Sequence, residues 1–286
     1  MGILTTAEKE NIKQGVLQSY PNDSESQLRL GCALRAGFVV ILKALGEQWV
    51  EKNVSPKPDS NQSGFMKRGL SQEQERFEYQ DRIIMLAEFI ESLWDVPNFQ
   101  QGKLRDLQTK SLEETFFELQ IARSLLVRGL LIDFVIPSGI RGKDYDLNAA
   151  IENQPIAIEI KCKPGDQAFD DNKLIDPLKH AARRQLPKEG GGVIFLKLST
   201  SWLYEPSFLA HADRLARNFL RNYSRINALL FHWEEWRRMG AMARINCFKA
   251  YINEKPKRPV AGIEQLDTSR GLLEYSPITN LPISYI

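Results

Sequence analysis

Two carboxylates and an ammonium group lie close together in the middle of the sequence. Asp146 is in an extended segment, residues 145–151, and Glu159 and Lys161 are in a second one, residues 156–162. Residues 152–155 contain Asn and Pro and are predicted to reverse the chain, so that the two segments form an antiparallel hairpin. The hairpin brings Asp146 beside Glu159 and Lys161, which point the same way because they are two positions apart. Carboxylates placed in this way can hold a divalent cation, and a lysine beside them can orient a bound water molecule.

The segment that carries Glu159 has the composition of a strand inside a sheet. Its side chains alternate between a predicted core face and a predicted chemical face: Ile156, Ile158, Ile160 and Cys162 against Ala157, Glu159, Lys161 and Lys163. β-branched residues favour the interior of sheets, where an unpaired charge is costly. The charged face is therefore predicted to carry the chemistry, and Lys163 is a candidate contact for an anionic substrate.

Asp146-Leu147, followed thirteen positions after Asp146 by Glu159-Ile160-Lys161, resembles the signature of the PD-(D/E)xK nuclease superfamily. Tyr145 stands where that signature has Pro, a residue that does not bind metal. The resemblance covers residues 111–199, under a third of the chain. It implies an α/β fold with a restriction-endonuclease-like α-β-β-β-α-β core and a mixed central sheet. It also implies a metal-dependent endonuclease or exonuclease that acts on nucleic acid, with DNA as the expected polymer.

The same resemblance assigns roles to individual residues. Asp146, Glu159 and the carbonyl of Ile160 would hold Mg²⁺, for which Mn²⁺ could substitute, and Lys161 would assist the attacking water. Many members carry a further Glu on the first core helix, and Glu118 is the matching candidate, although a structural ion pair is the alternative. On the second core helix Gln185 is a candidate catalytic residue near the substrate phosphate, and Arg183 and Arg184 are candidate nucleic-acid contacts. A solvated helix face would explain these last three residues equally well.

The elements that position the candidate site can be assigned from periodicity and capping signals. Ser111 to Glu114 forms a capping box for a helix that is predicted to end at Arg128, before Gly129. Residues 130–136 are apolar on both faces and are predicted to form an interior strand. A second core helix over residues 174–186 and a strand over residues 193–198 complete the predicted core. A helix over residues 206–223 and strands over residues 226–233 and 247–253 would extend the sheet.

Residues 1–105 are predicted to form a helical region that precedes a nuclease-like domain over residues 106–286. Thr6 is predicted to cap a first helix that runs to Tyr20, and Ser24 or Ser26 is predicted to cap a second that runs to about Trp49. A third predicted helix runs from Ser71 to Pro97. Residues 52–64 are rich in Pro, Ser and Asn and are predicted to form a loop. Residues 1–110 contain 15 acidic and 14 basic residues, so this region is more typical of a packing or protein-partner surface, including a homodimer contact, than of a nucleic-acid clamp.

The C-terminal third is strongly basic. Residues 214–258 contain 11 Lys and Arg against 3 Glu, a local balance of +8 (11 − 3), with aromatic residues interspersed. This composition suits a phosphate backbone and stacked bases, although the aromatic side chains could equally belong to the core. Arg237 and Arg238 are candidate nucleic-acid contacts. Glu234 and Glu235 are predicted to lie one helical turn from them and could hold them in intrahelical ion pairs.

Composition excludes several other classes of protein. The chain of 286 residues is 43% hydrophobic and 26% charged, which is typical of a globular protein. Its most apolar segment is too short to span a membrane, its N-terminus does not read as a signal peptide, and its three cysteines form no paired motif, so a reducing cytoplasm is the expected location. No P-loop spacing is present, and no histidine lies in the hairpin. Two alternatives stay open: an inactive member of the fold that binds nucleic acid or protein, and an unrelated α/β protein whose charged strand is an exposed edge.

Overall fold

A computed structural model describes residues 3–54, 64–66, 73–163, 168–239 and 241–266, and the side chains of residues 73, 236, 238, 239 and 241–243 lie outside this description. The chain divides into two compact units. The described part of the first, the helical unit, lies within Met1–Asp95 and Leu104–Leu112. The described part of the second, the sheet unit, lies within Val96–Lys103 and Glu113–Leu272. Residues 96–103 therefore belong with the sheet, which a single boundary at residue 105 does not capture.

The helical unit contains α1 (Thr6–Ser19), α2 (Glu25–Leu45), α3 (Glu47–Asn53), α4 (Glu73–Leu93) and α5 (Leu104–Thr109). The N-cap of α1 is Thr5 rather than the predicted Thr6, and α2 is capped by Ser24, one of the two predicted candidates. The prediction that α2 continues to Trp49 is wrong, because Gly46 adopts a φ of 86° that breaks the helix. Most of the predicted loop, residues 55–63, lies outside the described residues.

The sheet unit contains a sheet of six strands among the described residues. They are β1 (Leu131–Phe134), β2 (Leu147–Ile151), β3 (Gln154–Cys162), β4 (Gly192–Lys197), β5 (Ile226–Met239) and β6 (Ala241–Ile252), and their order in space is their order in sequence. β1, β2 and β3 are antiparallel, β3, β4 and β5 are parallel, and β6 returns antiparallel to β5. The prediction of an α/β fold with a mixed sheet is confirmed.

Three helices accompany the sheet. α6 (Leu112–Val127) precedes β1; α7 (Asp171–His180) continues into a π-helix, Ala181–Gln185, before β4; and α8 (Phe208–Asn222) precedes β5. Phe231 belongs to the apolar cluster that includes α7 and α8, whereas its neighbour His232 stacks on Phe117 of α6. Adjacent strand residues point to opposite faces, so α6 covers one face and α7 and α8 cover the other. Within the described ranges no helix has the length and apolar character needed to cross a bilayer.

The β2–β3 hairpin is formed as predicted. Glu152 and Asn153 have φ of 48° and 63°, the left-handed conformations of a two-residue turn, and Ile151 pairs with Gln154. β3 lies between β2 and β4, and its residues from Ile156 to Ile160 are all buried. The alternative of an exposed charged edge strand is therefore excluded.

β1 is an edge strand, so the prediction of an interior strand at residues 130–136 is wrong. It spans only four residues and pairs with β2 alone, and Leu131 is 80% exposed. Its apolar composition suggested burial on both faces, but pairing partners are set by the whole sheet. The end of β1 is covered locally, because the Phe134 N–H donates to the Pro97 carbonyl and the Phe134 carbonyl accepts from the Asn98 side chain.

The β5–β6 hairpin is longer than predicted. Glu234 and Glu235 were predicted to lie on a helix with Arg237 and Arg238, but all four positions belong to β5 and pair with β6. Glu234 pairs with Asn246 in this ladder. The sequence did not indicate the extension because a ladder is stabilised by its partner strand rather than by local periodicity.

Candidate metal centre at the β2–β3 hairpin

Asp146 is held where β2 begins. Its backbone N–H donates to the Ile158 carbonyl at 3.0 Å, which continues the pairing of β2 with β3 by one residue. Its side chain then takes the place of the next backbone partner, since Oδ2 accepts the N–H of Ile160 at 2.7 Å. The carboxylate is only 19% exposed and has a fixed orientation. The second oxygen, Oδ1, points to a different partner.

Glu159 is fully buried in β3, and its side chain is 0% exposed. Its Oε1 accepts from the Lys161 ammonium, which belongs to the same strand two residues later. Its Oε2 is buried and has no hydrogen-bond partner among the described residues. A buried carboxylate oxygen without a partner is costly unless a proton or a cation satisfies it.

The pKa values of Glu159 and Lys161 are both raised, which indicates too little positive charge around these two groups. Burial raises the pKa of Glu159 well above its usual range, and repulsion from Asp146 raises it further. Burial alone would lower the pKa of Lys161, but attraction to Glu159 and Asp146 is stronger and raises it. Both groups thus hold their protons more tightly than usual. A divalent cation would relieve the same imbalance.

Lys103 is a member of this centre that the sequence reasoning missed. It ends a π-helix, Phe99–Lys103, and its side chain is only 5% exposed. Its ammonium contacts Glu118 Oε2 of α6 and lies 3.9 Å from Asp146 Oδ1. Glu118 thus lies next to the centre, and its carboxylate is paired with a lysine. No local pattern marks Lys103, because its partners are 15 and 43 (146 − 103) positions away.

The oxygen donors of this centre fit a hard divalent cation. Asp146 and Glu159 supply carboxylates, and Glu159 keeps one oxygen unpaired. The N–H and C=O of one strand residue point to the same side, so the Ile160 carbonyl faces the same edge as the N–H that holds Asp146. Within the described ranges, no group of three or more His, Cys, Asp or Glu side chains is placed to hold a metal ion. The candidate donors here are the carboxylates of Asp146 and Glu159 and the carbonyl of Ile160, which is fewer than three such side chains. Glu118 is not counted among them, because it is paired with Lys103.

The other predicted site residues lie at different distances from the chemistry. Gln185 ends the π-helix after α7, and its Nε2 lies 3.5 Å from the carbonyl of Asp144, two residues before Asp146. Lys163 follows β3 directly, and partial burial lowers the pKa of its ammonium. Arg183 and Arg184 are exposed, and the guanidinium of Arg183 lies 5.7 Å from the centre of the Tyr223 ring.

Arg237 lies in the distant part of the β5–β6 hairpin and is already paired. Its Nε donates to Glu235 Oε2 at 3.0 Å, which is an ion pair between residues two apart on one face of a strand. A glutamate therefore does pair with Arg237, as predicted, but the two residues meet on one face of a strand and not across a helical turn. The side chain of Arg238 lies outside the described residues.

A second group of buried charges lies on the face of the sheet that α6 covers, whereas Glu159 points to the face that α7 and α8 cover. Lys197 of β4 lies 3.2 Å from Glu113 and 3.6 Å from Glu234, and Arg244 of β6 lies 3.0 Å from Glu234. His232 lies beside these groups, is 0% exposed, and burial lowers the pKa of its ring to about 3. Its named charged groups are Lys197 and Arg244 against Glu113 and Glu234, whereas the candidate metal centre has three named carboxylates against two lysines.

Comparison of the chain with protein-family models, with curated proteins and with solved structures finds no match.

Proposed function

We propose that this protein is a metal-dependent nuclease that hydrolyses phosphodiester bonds in nucleic acid, with DNA as the first substrate class to test. The observation that carries the proposal is the state of Glu159, a fully buried carboxylate with an unpartnered oxygen beside Asp146 and Lys161. A purely structural residue at this position would gain from having both oxygens satisfied. A cation-binding residue needs one oxygen available.

The roles follow from the positions of the groups. Asp146, Glu159 and the Ile160 carbonyl would hold Mg²⁺ or Mn²⁺, and the ion when bound would acidify a water and offset charge on the scissile phosphate. Lys161 keeps its proton, so it can orient the attacking water and stabilise the anion that develops at the phosphate. Lys103 holds Glu118 and approaches Asp146, which fixes the acidic residues before substrate arrives.

The order of elements supports the same proposal. α6, β1, β2, β3, α7 and β4 follow one another as helix, three antiparallel strands, helix and parallel strand. The resemblance to a restriction-endonuclease-like core implies the same α-β-β-β-α-β order, with the acidic pair directly before the second strand and on the third. Fold alone does not define an activity, so the argument for a nuclease depends on the residues of the centre.

A second candidate function is binding of nucleic acid or protein without cleavage. It is favoured by one observation, that Lys103 and Lys161 already contact Glu118 and Glu159. In a protein that never binds metal, these lysines would serve as permanent counterions. Metal binding separates the two functions.

The test compares the wild type with Glu159→Gln and Asp146→Asn, which keep the shape and remove the charge. Glu152→Gln is the matched control, because Glu152 is an exposed carboxylate in the turn of the same hairpin. Calorimetric titration with Mg²⁺ and Mn²⁺, and cleavage of single-stranded and double-stranded DNA and of RNA with metal or with EDTA, are the measurements. Wild type and the control should bind metal and cleave, and the other two should not. Metal-dependent cleavage by purified Glu159→Gln would refute the assignment, and metal binding by none of the four would favour the non-cleaving function.

A further inference from the structure

A cavity of about 600 Å³ lies between the last turns of α8 and the end of β6. Arg217 and Arg221 line it from the helix, and Lys255 lines it from the segment after β6. Leu220 and Ile252 supply apolar surface, and Ile252 is 44% exposed although it is a large aliphatic residue. The cavity has the size of a small-molecule site and combines cationic walls with an apolar part.

The cations of this cavity lack matching acids. Arg217 and Arg221 are four residues apart on one helix face, where like charges repel. The nearest acid on the helix, Asp213, attracts Arg217 but is shared with two other groups, because Oδ2 accepts from Lys249 at 2.8 Å and Oδ1 accepts from the Tyr251 hydroxyl. Glu254 is the only acidic residue among those lining the cavity in the described part of the chain, against three cations. An anion would stabilise this arrangement.

The cavity lies in the same row of the sheet as the candidate metal centre. Glu159 pairs with Ile194, Ile194 with Leu229, and Leu229 with Tyr251, which lines the cavity. Residues paired in this way point to one face, and three strand spacings amount to about 14 Å. Ile194 and Leu229 between them are fully buried in the cluster that includes α7 and α8, so a nucleic-acid strand bound at both places would pass over these helices.

From these features we infer that the cavity between α8 and β6 binds a phosphate-bearing nucleotide unit of the nucleic-acid strand, at a distance from the cleavage centre. Arg217, Arg221 and Lys255 contact phosphate, and the apolar surface of Leu220 and Ile252 contacts sugar or base. The inference rests on the proposed function, which identifies the polymer as nucleic acid, and it adds a surface of this protein that would bind that polymer. A free nucleotide offers the same chemistry, so the experiment separates the two sources.

The experiment uses full-length Glu159→Gln protein, in which binding is measured without cleavage. Fluorescence anisotropy with a labelled single-stranded oligonucleotide is recorded at several salt concentrations. The Glu159→Gln protein is compared with a variant that also carries Arg217→Gln and Arg221→Gln. The matched control carries Arg105→Gln and Lys52→Gln, two exposed cations of the helical unit, so the net charge is the same. Neutral replacements avoid new repulsion with Asp213, and Lys255→Gln tests the other wall of the cavity. Circular dichroism verifies that each variant is folded.

The cavity variants should bind more weakly, and the slope of log Kd against log salt should fall by about 1.4 for two lost strand phosphates. The control should leave the slope unchanged. An unchanged slope in the cavity variants would overturn the inference while leaving the proposed nuclease intact. Binding of a nucleoside monophosphate without oligonucleotide binding would overturn it in favour of a free-nucleotide site. A slope change in a protein whose wild type never cleaves would uphold the cavity and refute the nuclease, and absence of any nucleic-acid binding would refute both.

Discussion

Replacing Lys103 by Met tests whether the acidic residues of the candidate metal centre depend on this lysine for charge compensation. Met keeps the apolar stem beside Phe134 and removes the ammonium that contacts Glu118 and approaches Asp146. At 3.9 Å, one such charge pair is worth about 4 kcal/mol at an effective dielectric of about 20. Removing one partner of a buried pair costs roughly 3–5 kcal/mol, because the other charge stays buried.

We therefore expect Lys103→Met to lower the free energy of unfolding by about 3 kcal/mol in EDTA, measured by urea denaturation at neutral pH. The control is Lys110→Met, which removes an ion pair with Asp106 whose lysine is 51% exposed; a change of about 0–1 kcal/mol is expected there. Adding Glu118→Gln to Lys103→Met should restore part of the loss, because the uncompensated carboxylate is then absent.

Metal gives an additional readout on the same variant. If Asp146 and Glu159 bind Mg²⁺, saturating Mg²⁺ should stabilise Lys103→Met more than the wild type, since the ion replaces a missing cation. A loss in Lys103→Met no larger than that in Lys110→Met would refute the reasoning. It would mean that the contact between Lys103 and Glu118 contributes nothing to the folded state.

Three other predictions concern single residues. Lys161→Met should lower the cleavage rate by about 10²–10³ with nearly unchanged oligonucleotide affinity, because one lysine is a small part of the basic surface; equal losses in rate and affinity would make Lys161 a phosphate contact only. His232 is neutral when folded, with a pKa lowered from 6.5 to about 3, so the unfolded chain takes up the proton more easily and stability is lost as pH falls from 6.5 towards 3. Urea denaturation of the wild type should show a loss of about 2 kcal/mol between pH 7 and pH 5 from this residue, and His232→Gln should lack it; identical pH profiles would contradict the prediction. Arg237→Gln should change the salt dependence of binding less than Arg217→Gln, because Glu235 already neutralises Arg237, and a larger change in Arg237→Gln would move the substrate towards the β5–β6 hairpin.

Much of the core could be predicted from local patterns. The β2–β3 hairpin was predictable because its turn and the alternation of β3 are properties of neighbouring residues, and the same alternation placed Glu159 and Lys161 together. Glu118 was predictable for a similar reason, since a carboxylate on the apolar face of a helix needs a partner.

The remaining features depend on distant residues. Lys103 could not be found, because its segment carries no signal and its partners come from α6 and β2. The edge position of β1 could not be inferred from composition, since three apolar residues around Asp133 describe an interior strand equally well. The extension of β5 past Trp233 depends on its ladder with β6, which no single segment reveals.

The segment Val96–Lys103 sets the boundary of any smaller protein that could be cut from this chain. It satisfies both backbone groups of Phe134, places Phe99 with its ring centre 5.8 Å from that of Phe134, and supplies Lys103 to the acidic residues. A fragment that starts at residue 106 would retain every predicted acidic residue and Lys161. It would nevertheless expose the edge of β1 and leave Glu118 without its lysine. A fragment that preserves the centre must therefore begin before α5. Recombination or proteolysis between residues 103 and 113 would separate Lys103 from Glu118 and leave the acidic residues themselves unchanged.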